Sequence, residues 1–405
     1  MKAPALWEAT LRLCPGAPVG RNLASGRQDL VPALAPGRPV AAWPALVGAL
    51  YSLCGHSHRL CAELAIAAAM GEEGAEAGAW TMASPGGMKC IARALGQETL
   101  REHLRRILLD WPRLCATGAD ALPGGLEADL RTCPWPTVEG PDAPARLRGW
   151  LEDRLLGMPA AQWRAAWQAE GAGWLAAWSR STPGWLPALV SRLQAHDSAL
   201  ALPAGRALPA DGPRLAAGMA ADPPDPMQPL WQGRPAHTGP WSRHHLAASP
   251  TPAGAWAVLG VRLAEFVTLC LPGDPGEPGE PGRSGAGWLC CGGQSLGPGL
   301  GLGWVEMARG LLMHVVRLDT LPGPDGRPRL ADACVIAPTE WNFHAAGVAA
   351  EALARLPTDA PDGTLGLLMA ALDPCVPWTR VPPGELTAAT PAARAARRAE
   401  ERAHA

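Results

Sequence analysis

Lysine is nearly absent from this chain of 405 residues: of 35 basic residues only Lys2 and Lys89 are lysine. Tyrosine and phenylalanine are almost as scarce, with one and two residues, against 18 tryptophans. Arginine and tryptophan do the work that lysine and phenylalanine do elsewhere, so the skew reads as codon composition and carries no chemistry of its own. A basic excess is also lacking. The balance of 35 basic to 37 acidic residues gives a net charge of -2, which leaves no electrostatic footprint for nucleic acid. A secretory leader is not expected, because Glu8 and Arg12 interrupt any apolar stretch near the N-terminus. Neither is a membrane span. The two long uncharged runs, Pro39 to His58 and Ser284 to Val305, are broken by proline, glycine or histidine, whereas a spanning helix wants about 20 mostly apolar residues. No Walker motif occurs, and the glycines between 286 and 303 lack the dinucleotide spacing, so no nucleotide site is expected. A serine hydrolase is not expected either.

What is present is enough apolar residue, 48%, to build a large core, with too little charge, 18%, for a disordered chain. The 11 cysteines are odd in number and form no repeated short framework. They read as reduced thiols of a cytoplasmic protein, most of them small buried hydrophobes.

Periodicity predicts helices over 58–70, 91–111, 144–157, 345–356 and 364–372, each with apolar residues at helical spacing. Trp163, Trp167, Trp174 and Trp178 repeat on one helical face and are expected to face the core. Residues 253–272 and 303–319 are expected to carry strands. Residues 1–40 and 181–250 are punctuated by proline and glycine and read as irregular. Gly273 to Gly282, GDPGEPGEPG, is too short for a collagen helix and is expected to be an exposed loop.

Three pieces carry reactive side chains. Cys54-Gly55-His56-Ser57-His58-Arg59-Leu60-Cys61 gathers two thiols and two imidazoles where a helix begins. The positive end of a helix favours thiolate, and thiolates are soft ligands for iron, zinc or copper(I). There is no C-x-x-C, however, so packing and surface histidines compete with a metal site. Asp373-Pro374-Cys375 presents one thiol on a loop after an apolar helix, and Pro374 is expected to push Asp373 into an extended conformation. Glu306-Met307-Ala308-Arg309-Gly310 places an arginine inside an apolar segment. Buried, Arg309 must pair with a carboxylate, Glu306 being nearest in sequence, or face a polar ligand. Cys290 and Cys291 adjoin in a glycine-rich stretch, and adjacent cysteines chelate poorly.

The order of these pieces resembles the large subunit of nickel–iron hydrogenases, with its C-G-x-C-x-x-x-H, E-A-P-R-G-x-x-x-H and D-P-C-x-x-C-x-x-H motifs. Cys54-Gly55 opens the first, Glu306 to His314 follows the second with Ala308 for proline, and Asp373-Pro374-Cys375 opens the last. Between them Trp231 to Arg243 resembles a G-P-L-A-R-like segment, and Pro338-Thr339-Glu340-Trp341-Asn342 a T-x-W-N segment. The departures carry as much information. Ser57 stands at the second cysteine of the first motif and Cys61 at its histidine; Trp378 and Val381 stand at the last cysteine and histidine. Serine and tryptophan do not replace bridging thiolates, so no nickel, no complete nickel–iron centre and no turnover are expected. With the final histidine missing, the C-terminal tail is expected to be kept.

A large-subunit-like chain with half its ligands is similar to the HupK-type (HoxV-like) accessory proteins of hydrogenase assembly. The resemblance implies a mainly α fold with smaller β regions around a large-subunit-like helical core, spanning 1–383, while the tail over 384–405, with mixed charge on all sides, is expected to be solvated or disordered. It implies a scaffold for iron carrying cyanide and carbonyl ligands, held by Cys54 and Cys375, with Arg309 donating to a cyanide nitrogen and with Cys61, His58 or His56 as candidates for a further ligand. The implied partners are maturation chaperones of the HypC/HupF type and the hydrogenase large subunit. The alternative is a metal-free decoy that binds those chaperones.

Overall fold

The computed structural model describes residues 10–71, 85–115, 124–134, 143–197, 200, 202, 207–218, 225–245, 254–271 and 289–386. The 273–282 loop and residues 387–405 of the expected tail lie outside them.

Helices dominate, with two small sheets. Strands β1 (Leu11–Leu13), β2 (Leu23–Ser25) and β7 (Trp378–Arg380) form one, in the order β2-β1-β7. β1 runs antiparallel to β2 and parallel to β7, so the two ends of the chain are stitched together. The other is an antiparallel meander of β3 (Cys291–Gly297), β4 (Leu300–Met307), β5 (Gly310–Leu318) and β6 (Leu330–Ile336). The period-2 alternation of β5 divides the core. Leu311 and Met313 pack on one face with Leu302, Trp304 and Trp341. Leu312 and Val316 pack on the other with Trp43, Leu60 and Leu64. Helix Gly55–Ala69 lies directly on that second face. A Cβ at Gly303 would sit 2.2 Å from the Cys61 carbonyl oxygen, so the approach requires glycine in β4.

The largest core is all-helical, built from helices such as Ala160–Glu170, Trp185–Gln194, Val348–Arg355 and Asp362–Leu372. Trp163 and Trp178 are buried in it, edge to face at 5.6 Å, while Trp167 and Trp174 pack from its rim. The expected strand at 253–272 is instead the helix Ala255–Leu269, buried at 12 of its 15 positions. A helix covered on all sides shows no polar stripe, and apolar periodicity then loses its power to tell helix from strand. The stretch 181–250 is also more regular than its prolines suggest, holding Trp185–Gln194 and the short helices Gly212–Gly218 and Pro240–His245. Among the described residues no helix is long and apolar enough to cross a membrane.

Candidate functional site

Cys54 sits in a corner that the backbone fixes. Helix Trp43–Leu50 ends at Tyr51, a short turn Ser52–Cys54 follows, and helix Gly55–Ala69 starts at once. The two helices cross so closely that a Cβ on Gly55 would lie 2.5 Å from the Gly48 carbonyl oxygen. This steric demand explains the Cys-Gly pair. Cys54 is buried, and the position has a consequence opposite to the sequence expectation. Burial pushes the thiol up to about 12, and the charge of Arg309 offsets only part of that rise.

Arg309 projects from the tip of the two-residue hairpin joining β4 to β5, where Met307 pairs with Gly310. It is 1% exposed. Its partner is not Glu306, which binds Arg243 Nη1 at 2.5 Å. Arg309 Nη2 instead donates to Glu102, and Nε lies 3.8 Å from Asp373. Burial disfavours its charge, but Asp373, Glu102 and the two site thiols reverse that and raise its pKa. Its Nη1 is buried with no hydrogen-bond partner.

Cys375 follows helix Asp362–Leu372, which Asp373 stops in the left-handed region at φ 51, ψ 68. The extended conformation expected ahead of Pro374 is overridden, because the turn aims the Asp373 carboxylate at Arg106 Nε (2.7 Å) and Arg262 Nη1 (3.0 Å). Arg106 also donates to the Pro374 carbonyl at 2.8 Å.

Cys54 and Cys375, from opposite ends of the chain, line one cavity of about 270 Å³ together with Arg309 and His58. Side chains that the sequence reading passed over complete it: Arg27, Tyr51 and Thr339. Cys375 Sγ accepts from Arg27 Nη1 and from Thr339 Oγ1, each at 3.2 Å. Thr339 belonged to a quoted motif, so it was findable; Arg27 follows β2 in a stretch that carries no pattern. The motif segments meet physically. Thr238 N–H donates to Asn342 Oδ1 at 3.0 Å, and Leu311 N–H to Thr238 Oγ1 at 2.8 Å.

The other candidate ligands are sorted by the same geometry. His58 reaches the cavity, stacked on Tyr51 at 4.0 Å and hydrogen-bonded through Nδ1 to His314 Nε2 at 3.0 Å. His56 does not line the cavity; its backbone N–H donates to Glu98 at 2.9 Å. Cys61 also faces away, its thiol directed at the Leu312 carbonyl and pushed well above the ordinary range by burial. Cys290 and Cys291 flank the start of β3, with burial raising their thiols to about 12 and about 11. Gly293-Gln294-Ser295-Leu296-Gly297 has the G-x-S-x-G spacing, which the sequence reading missed. It lies within β3 rather than on a strand-to-helix elbow, and Ser295 Oγ only approaches Gly297. Among the described residues no three His, Cys, Asp or Glu side chains gather as a metal group.

The chain is 39% identical over 373 residues to the hydrogenase expression/formation protein HoxV of Cupriavidus necator, spanning 88% of this chain and 92% of that relative. It belongs to the HoxV/HupK family of hydrogenase expression/formation proteins. The HupK protein of Bradyrhizobium diazoefficiens is 32% identical over 359 residues, 84% of this chain and 86% of its own. No protein-family model matches. Among solved structures, a variant of the nickel–iron–selenium hydrogenase of Desulfovibrio vulgaris Hildenborough superposes over 87% of this chain and 92% of its own, at 12% identity and a TM-score of 0.48. An NAD+-reducing nickel–iron hydrogenase does so over 88% and 93%, at 20% identity and a TM-score of 0.47.

In this HoxV/HupK chain the substituted positions have other employment. Ser57 is buried and binds Glu98, whose carboxylate also accepts the Ser57 and His56 N–H groups and so closes the start of helix Gly55–Ala69. Trp378 opens β7 and packs on the helical core. Val381 is buried against Cys14 and Leu386.

The buried histidines dictate a pH response. Burial holds His314 down at about 3, and it lowers His103 and, with the neighbouring His314, Arg27 and Arg309, His58. Their native pKa values lie below that of an unfolded histidine, about 6.5. Their contribution is therefore full above pH 6.5 and is lost as pH falls toward each lower native value, about 3 for His314. Each such group adds a slope of up to about 1.4 kcal/mol per pH unit. Urea unfolding between pH 6.5 and 5 is expected to show stability falling more steeply with pH in the wild type than in His314→Asn. An unchanged slope in that variant would mean that His314 charges freely in the native protein.

Proposed function

We propose that this protein is a hydrogenase assembly scaffold that holds an iron carrying cyanide and carbonyl ligands between Cys54 and Cys375 and passes it to the hydrogenase large subunit. The observation that carries the reading is that two sulfurs from opposite ends of the chain share one cavity with a buried arginine whose Nη1 donor is unused. Thiolates suit soft iron. A guanidinium N–H is a fixed donor for a cyanide nitrogen. Two protein ligands make a looser grip than four, as a donor of cargo needs. With so few protein ligands the iron must bring the rest of its own coordination sphere, which cyanide and carbonyl supply. The protein itself is then a carrier without turnover, acting in the cytoplasm with chaperones of the HypC/HupF type.

Infrared spectra of the protein purified with its maturation partners test this. Bands of bound cyanide and carbonyl are expected in the wild type and absent in Cys54→Ser and Cys375→Ser, together with loss of hydrogenase maturation. A second reading, a metal-free decoy that engages the same chaperones, is favoured by the high thiol pKa of Cys54, which leaves its sulfur a protonated thiol and so a poor metal ligand near neutral pH. Full maturation activity in both serine variants, with no such bands, would establish the decoy.

A further inference from the structure

The sulfur of Cys375 is gripped from two sides. Thr339 accepts the Cys375 backbone N–H at 3.2 Å and directs its own hydroxyl to Sγ at the same distance. Arg27 Nη1 reaches Sγ at 3.2 Å while lying 2.6 Å from Glu340 Oε1. The Arg27 and Glu340 side chains are 14% and 5% exposed, so this ion pair is largely shielded from water. Arg27 is itself held in place. Gly26 N–H donates to the Thr10 carbonyl at 3.0 Å, and Arg27 N–H to Ser25 Oγ at 3.2 Å, which anchors the turn leaving β2. An arginine clamped by a buried carboxylate has little freedom left, and the same Nη1 that faces Glu340 is thereby held on the sulfur. Nothing in the hydrogenase-like motifs includes this residue.

We propose that Arg27, braced by Glu340, is a positioning residue of this site: it fixes the Cys375 sulfur at the cavity wall and keeps an N–H donor on it. The identity of the cargo rests on the proposed function, but the role of Arg27 is tested without cargo. In metal-free full-length protein, Cys375 is alkylated with iodoacetamide at one pH and the adduct at each cysteine is followed by mass spectrometry. Arg27→Met keeps an aliphatic stem and removes the donor; with the sulfur no longer held facing the cavity, labelling of Cys375 is expected to slow by about tenfold or more. Arg27→Lys, which restores an N–H and the charge, is expected to recover most of the rate. Because Arg27→Met leaves Glu340 buried and unpaired, the double variant Arg27→Met with Glu340→Gln is made alongside and is expected to show the same slowing in a folded protein. Equal Cys375 rates in the wild type and the double variant overturn the proposal. Cobalt(II) alone is then added as a coloured probe of thiolate binding. In the wild type it is expected to give a sulfur-to-cobalt charge-transfer band, which moves to longer wavelength in the double variant as the sulfur loses its donor. Slowed labelling with no cobalt band in the wild type would uphold the role of Arg27 and count against metal holding by the pair of cysteines.

Discussion

Asp373→Ala is expected to destabilise the protein by about 3–5 kcal/mol, the range for removing one partner of a buried ion pair, read as a fall in the urea midpoint. The carboxylate is 3% exposed and faces Arg106, Arg262 and Arg309 at 2.7, 3.0 and 3.8 Å. Burial alone would raise its pKa, but the three guanidinium groups outweigh burial and hold it well below the ordinary range. Its stabilising contribution is thus present above about pH 3.9, the unfolded value, and is lost as pH falls toward the lower native one. Alanine also strains the backbone, because the left-handed turn at φ 51 suits aspartate or asparagine better than alanine. Asp373→Asn separates the two causes. It tolerates the turn and loses the charge, so it is expected to fall between wild type and alanine. Equal stability of all three proteins would show that the arginines are neutralised elsewhere. The aspartate of the D-P-C motif therefore acts on the site indirectly, by stopping the helix where Cys375 can face the cavity and by anchoring Arg309.

How much of this was readable beforehand depends on what kind of signal each residue leaves. Helices with one exposed face, such as Gly55–Ala69 and Val348–Arg355, advertise themselves by apolar spacing. Ala255–Leu269 does not, since even Arg262 and Glu265 on it are buried. The pairing of Cys54 with Cys375 came from the order of motifs; no local pattern links positions so far apart. Which carboxylate Arg309 pairs with stayed open for a related reason. Glu306 is near in sequence, but a tight hairpin sends the tip residue away from its own strand, toward Glu102 on helix Pro85–Arg105. The thiol of Cys54 shows a competition that sequence cannot weigh. The helix start favours thiolate by a partial charge, whereas full burial opposes it more strongly. Arg27 was invisible because an irregular segment gives no periodicity from which to infer what it touches.

Glu265→Gln is expected to cost a further amount of the same order, about 3–5 kcal/mol, and to loosen the hairpin that carries Arg309. Glu265 is fully enclosed and receives His103 Nε2 at 2.7 Å, His244 Nε2 at 2.9 Å, and Arg243 Nε and Nη2 at 2.8 and 2.7 Å. Burial pushes its carboxyl up, but Arg243 and the two histidines more than reverse this, so it stays ionised. Glutamine offers one acceptor oxygen and turns an N–H₂ toward groups that are themselves donors. The effect is transmitted because Arg243 also donates to the Met307 carbonyl at 2.9 Å, and Arg262, on the helix of Glu265, to the Ala308 carbonyl at 3.0 Å. Both carbonyls lie just ahead of Arg309 in sequence. Hydrogen exchange is expected to quicken at the β4–β5 hairpin in this variant before it quickens in the tryptophan core around Trp163. If the hairpin amides keep their wild-type protection while the urea midpoint falls, Glu265 stabilises the helices alone and the coupling to the Arg309 hairpin is wrong.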